Sequence, residues 1–110
     1  MAFARGIDHL DGDELSIVDY VLPRPNVSFL YRARGTELEH AGILRGDLLI
    51  VERGRTLRAG RTALVSVEGA VRLVRVQRAG DRFTFDGAPS ESEGVEVLGL
   101  ASRLVRQLLP

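Results

Sequence analysis

Short apolar runs alternate with Gly, Pro and charged breaks along the chain, a pattern that predicts a mainly β domain. Glu14 to Val21 (ELSIVDYV) reads as a first strand, ended by the stiff Pro23-Arg24-Pro25 break. Ser28 to Arg34 (SFLYRAR) reads as a second, with Phe29, Tyr31 and Ala33 on one face and Gly35 at its end. Thr36 to Leu44 suits a helical turn, with Thr36 as its cap and Glu39 three residues on. Asp47 to Arg53 (DLLIVER) is so continuously apolar that both of its faces should be covered. Thr62 to Val67 and Ala70 to Gln77 form a hairpin about Glu68-Gly69. Along its second strand Val71, Leu73 and Arg75 share one face, and Arg72, Val74 and Val76 the other. Phe83-Thr84-Phe85 adds a short strand, and Ala88 to Gly94 (APSESEG) a polar loop. Val95 to Leu109 fits either one long strand or a strand running into a helix. No repeat or long linker divides the chain, so residues 14–110 read as one domain behind a flexible arm, residues 1–13.

Composition narrows the chemistry. Of 110 residues 45% are apolar but only 5% aromatic, enough for one core made of Val, Leu, Ile and Ala. The absence of cysteine excludes a disulfide framework, a thiolate metal site and a cysteine nucleophile. No apolar run approaches the roughly 20 residues that cross a bilayer, and the first eight residues lack the apolar stretch of a signal peptide. A cytoplasmic protein is the expectation. All 15 basic residues are arginine. Arginine stays protonated, whereas a desolvated lysine can lose its proton and act as a base, so a lysine-base mechanism is closed to this chain.

The net charge of zero hides an uneven distribution. Residues 1–51 carry eight acids and five arginines (net −3), residues 52–82 three and eight (net +5), and residues 83–110 four and two (net −2). Arg53, Arg55, Arg58 and Arg61 crowd one loop, and Arg72, Arg75, Arg78 and Arg82 follow. Such a patch suits DNA phosphates or an acidic partner surface, with an ordinary solvated loop as the plain alternative. The lack of interleaved aromatics argues against stacking on single-stranded bases. Asp8, His9, Asp11, Asp13 and Glu14 do not match a calcium loop and read as an acidic arm, so neither a metal nor another cofactor is expected.

Ala41-Gly42-Ile43-Leu44-Arg45-Gly46-Asp47-Leu48-Leu49-Ile50-Val51-Glu52 resembles the "GI-x-x-GDLLIVD" stretch of the LexA/UmuD self-cleaving serine peptidase family. Phe29 to Gly35 is similar to that family's strand entering the catalytic turn, and Val65 to Gln77 to its lysine-bearing hairpin. Val97-Leu98-Gly99-Leu100, with Val105-Arg106, is similar to its closing strand, and Asp19-Tyr20-Val21 fits a feature of UmuD-type members. The likeness covers roughly residues 15 to 108 and is nearly gapless through 28–77. It implies a barrel-like β-sheet assembly with a short helical turn.

The family cuts a peptide bond with a Ser–Lys dyad, in which a neutral lysine takes the serine proton. By this resemblance the serine turn reads Gly35-Thr36-Glu37-Leu38, with Glu37 at the serine position, and the lysine position falls on Val74, next to Arg75. Thr36, Glu37, Leu38 and Arg75 become the candidate cleft residues, with Glu37 and Arg75 as a candidate ion pair. The family's small-residue–Gly cleavage bond also lacks a good match, since the nearest candidate, Arg5-Gly6, begins with a bulky charged residue. In length the chain resembles processed UmuD and leaves no room for a helix-turn-helix domain.

The resemblance therefore implies a pseudo-peptidase. Its expected role is that of a homodimeric accessory protein in the SOS response, partnering a translesion DNA polymerase or a recombinase filament. The apolar tail Val95 to Leu109, taken as an unpaired edge strand, supplies a physical reason for the dimer. The alternatives are a decoy that heterodimerises with an active LexA- or UmuD-like protein, a mobile-element regulator fragment, and a divergent peptidase using Thr36, or Glu37 assisted by His40 and Glu39.

Overall fold

The computed structural model describes residues 16–88 and 94–110. Helix α1 (Ile17–Val21) comes first, then a 3-10 turn (Pro25–Val27), β1 (Ser28–Arg32) and a second 3-10 turn (Glu39–Ala41). Five strands follow: β2 (Leu48–Glu52), β3 (Thr62–Val67), β4 (Ala70–Ala79), β5 (Arg82–Asp86) and β6 (Val95–Val105). All six strands belong to one antiparallel sheet in the order β1-β2-β6-β3-β4-β5. The mainly β architecture read from the sequence is thus the one that folds, as an open sheet with β1 and β5 at its ends. Among the described residues no helix is long and apolar enough to cross a membrane.

The sheet buries both faces, which explains why its inner strands are apolar at successive positions. One cluster joins Ala33, Leu38, Ile43, Leu49, Val51, Leu64 and Leu73. Ala63, Val65, Val67, Val74, Val76 and Leu100 form the other, on the opposite side of β3 and β4. The β3–β4 hairpin turns at Glu68 (φ 52°) and Gly69 (φ 82°), the two left-handed residues of a type I′ turn.

Three local expectations are corrected. Residues 17–21 are helical rather than extended: the Ser16 hydroxyl accepts from the Asp19 amide at 3.4 Å, and Asp19 places a negative charge in the first turn. Glu14 and the acidic arm before it, like residues 89–93 of the polar loop, lie outside the described residues. The turn after Gly35 is only one 3-10 turn, and the Thr36 carbonyl rather than its side chain receives the Glu39 amide, at 3.1 Å. Finally, Val95–Val105 is a single long strand between β2 and β3, not an edge, so the edge-strand argument for a dimer falls away.

Two bulges let β6 serve both neighbours. Its register slips by one residue opposite Ile50/Val51, at Ser102, and again opposite Leu64/Val65, at Leu98. Between them lies Gly99, where a Cβ would stand 2.7 Å from Val51 Cγ1 and 2.8 Å from the Glu52 carbonyl oxygen. Only glycine permits that approach. Gly99→Ala is expected to cost about 2 kcal/mol through overpacking, read as a lowered urea midpoint at unchanged m-value.

Candidate functional site

The Gly35–Leu38 turn is anchored by one residue. Leu38 is 2% exposed and packs with Ala33, Ile43, Leu49 and Val51, whereas Thr36 and Glu37 face solvent. The Glu37 carboxylate folds back over Gly35 and occupies the space a Cβ there would need. On β4, Val74 is fully buried in the second cluster, while Arg75 is half-buried and opens onto a groove of about 440 Å³. His40, Gly60, Gln77, Arg78 and Asp86 share that groove. Its carboxylate is Asp86, whose Oδ2 lies 3.3 Å from His40 Nε2. Among the ion pairs of the described residues Glu37 and Arg75 are not joined, contrary to expectation. The structure thus brings Arg75 to the 3-10 turn through His40 and leaves Val74 in the core.

A second cluster ties the Gly46-Asp47 motif to the end of β6. Arg106 donates from Nε to Asp47 Oδ1 at 2.8 Å and from Nη2 to Oδ2 at 2.6 Å, and Nη2 also reaches the Gly42 carbonyl at 2.8 Å. Asp47 Oδ2 accepts the Leu44 amide at 2.7 Å. Arg106, and then the Leu44 amide, hold the Asp47 carboxyl below its ordinary range against the opposing effect of burial. The arrangement is a clamp, with its donors consumed internally.

A third cluster was only half legible in the sequence. The loop after β2 and the bulged part of β6 enclose a cleft of about 520 Å³, lined by Gly54, Arg55, Thr56, Arg58, Arg61, Leu100, Ala101, Ser102 and Arg103. Three of the four expected loop arginines line it. The fourth, Arg53, turns away and sits 4.7 Å above the Phe29 ring. Arg103 comes from 42 positions beyond Arg61 and carried no local signal of its role. The bulge at Ser102 makes the cleft possible, because it breaks the alternation that would send neighbouring side chains to opposite faces.

Beside this cleft lies Glu52, fully buried yet charged. Its Oε1 accepts from Arg55 Nε at 3.1 Å and Arg24 Nη1 at 3.4 Å, and Arg103 Nη1 stands 3.8 Å from Oε2. The nearby Ser102 hydroxyl, then Arg55 and Arg24, keep the Glu52 carboxyl below its ordinary range despite burial. In the structure that hydroxyl donates to the Ile50 carbonyl at 3.4 Å, and Glu52 Oε2 is buried without a hydrogen-bond partner of its own. Arg24, Arg55 and Arg103 are a third to a half exposed and can turn to water if the acid is removed. Glu52→Gln should therefore cost only about 1 kcal/mol in urea unfolding, far below the usual effect of breaking a buried pair.

Comparison with known proteins places these clusters in context. Residues 2–93 match the Peptidase S24-like family. The chain belongs to that family. Among curated relatives, it is 34% identical over 80 residues to the LexA repressor of Shewanella piezotolerans, covering 73% of this chain and 39% of the relative. The LexA repressor of Vibrio cholerae is also 34% identical over 80 residues, covering 73% and 38%. That of Shewanella sediminis is 31% identical over 99 residues, covering 81% and 48%. This S24-like chain therefore spans less than half the length of these relatives. The family match includes the Gly35–Leu38 turn, the Asp47 motif and the β3–β4 hairpin.

Proposed function

We propose that this S24-like domain is a non-catalytic relative of the self-cleaving peptidases, a dimeric accessory protein in the SOS response. Its partner would be a translesion DNA polymerase or a recombinase filament. One observation carries this reading: the 110 residues contain no lysine, and the resemblance sets Glu37 where the family has its serine. A solvent-facing carboxylate lacks the hydroxyl that would attack, and arginine does not give up the proton a base must lose. The exposed apolar side chains of Leu104, Val105, Leu108 and Leu109, at and beyond the end of β6, support self-association. The likeness to LexA repressors supports a place in the response to DNA damage.

The test is affinity capture of the tagged protein from its own cells after DNA damage, read by mass spectrometry. Recovery of a translesion polymerase or a recombinase is the expected result. Recovery of only itself, or of a LexA-like repressor, contradicts the accessory role and favours a decoy that heterodimerises with an active relative.

A further inference from the structure

The arginine cleft beside Glu52 has more positive charge than its internal partner can neutralise. Arg55, Arg58, Arg61 and Arg103 line it, and Glu52 is the one carboxylate in contact with any of them among the described residues. Glu52 engages Arg55 and Arg103 from below. Arg58 and Arg61 form no ion pair with a described residue. Four guanidiniums facing one cleft repel each other, and the apolar Leu100 and Ala101 in its wall strengthen the local field. A bound anion relieves that repulsion.

The shape and chemistry of the cleft favour one kind of anion. Its volume of about 520 Å³ lies within the range of small-ligand sites. Guanidinium forks match phosphate oxygens two at a time, and the Thr56 and Ser102 hydroxyls add uncharged donors. A terminal phosphate concentrates up to two charges on three acceptor oxygens, and inner or backbone phosphates bring one charge each at short, regular spacing, whereas the carboxylates of an acidic peptide sit on separate flexible side chains. No aromatic side chain lines the cleft, so bases would not be read by stacking.

We infer that this cleft is a binding site for closely spaced phosphate groups, held by Arg55, Arg58, Arg61 and Arg103. The phosphates belong either to a free polyphosphate, such as the tail of a nucleotide, or to a nucleic-acid backbone. Glu52 holds one of the four forks, that of Arg55, by hydrogen bonding, and stands 3.8 Å from Arg103. The site is independent of the proposed accessory role, since it concerns what the cleft binds and not whether the chain cuts peptides.

Calorimetric titration of the full chain with sodium tripolyphosphate at low salt tests the site. Binding is expected, and Arg58→Ser/Arg61→Ser should weaken it about a hundredfold, roughly tenfold for each fork lost. The single variants Arg58→Gln and Arg61→Gln give the same reading in smaller steps if the double variant unfolds. Arg45→Ser/Arg82→Ser removes two exposed arginines outside the cleft and should leave binding unchanged. A labelled DNA duplex separates the two sources. Duplex binding that tripolyphosphate displaces, with a salt slope lowered by about one per arginine removed, assigns the phosphates to nucleic acid. Tripolyphosphate binding with no duplex binding assigns them to a free polyphosphate. No tripolyphosphate binding, equal weakening in the Arg45/Arg82 variant, or tighter binding of a glutamate-rich peptide overturns the proposal.

Discussion

Arg106→Ala is expected to destabilise the domain, lowering Tm by roughly 5–10 °C. The loss comes from what remains. Asp47 is 2% exposed, and without Arg106 its carboxylate keeps the Leu44 amide but loses the fork that binds both of its oxygens. The end of β6 also loses its tie to the Gly42 carbonyl. Arg106→Lys should recover only part of the loss, because a lysine cannot donate from a planar fork.

The pH dependence has a definite sign. The folded Asp47 pKa lies below the ordinary value of 3.8, chiefly through Arg106. A carboxyl whose folded pKa is depressed contributes stability that is present above its unfolded pKa and is lost as the pH falls through the folded value. The difference between wild type and Arg106→Ala should therefore be full near neutral pH and shrink below about pH 4. Urea melts at the two pH values check this. A gap that stays constant with acid would mean that Arg106 stabilises by packing rather than through Asp47.

Leu38→Ala should cost more, about 3 kcal/mol, because it opens a cavity in the cluster formed with Ala33, Ile43, Leu49 and Val51. Its neighbour behaves in the opposite way. Glu37 is exposed, so Glu37→Ser should change stability by no more than about 0.5 kcal/mol. That variant puts a hydroxyl where the resemblance sets the family's serine but supplies no base, and it should remain intact. Denaturant melts and intact-mass measurements on the two variants check both halves. A Leu38→Ala protein as stable as wild type would show that the turn is not held by the core; a cleaved Glu37→Ser protein would show that a base had been overlooked.

The strands were legible because their signals are local. Leu48–Glu52 announces burial on both faces by its unbroken apolar run, and Glu68-Gly69 marks the hairpin by turn chemistry. Helix α1 was misread because its apolar residues Ile17, Val18 and Tyr20 remain more than 60% exposed and show no clear period, while its Ser16 cap is a single-residue cue. The position of β6 inside the sheet depends on bulges at Leu98 and Ser102, which change register without any composition shift. For the same reason the loop arginines could be picked out as a group but not their orientation: Arg53 leaves for Phe29, and Arg103 arrives by the bulge. The buried charge of Glu52 depends on Arg24, Arg55 and Arg103, which are separated along the chain and meet only after folding.

The central claim, that this S24-like chain does not cut peptide bonds, is tested by prolonged incubation of the concentrated protein in alkaline solution. There a lysine base of the kind used by the resembled family is deprotonated, and self-cleavage shows itself. Intact mass spectrometry should find the single mass of the uncut chain at every time point, alone or mixed with a LexA-type repressor whose own lysine has been replaced. A pair of fragments whose masses add up to either protein plus one water, produced only when this chain is present, would contradict the account.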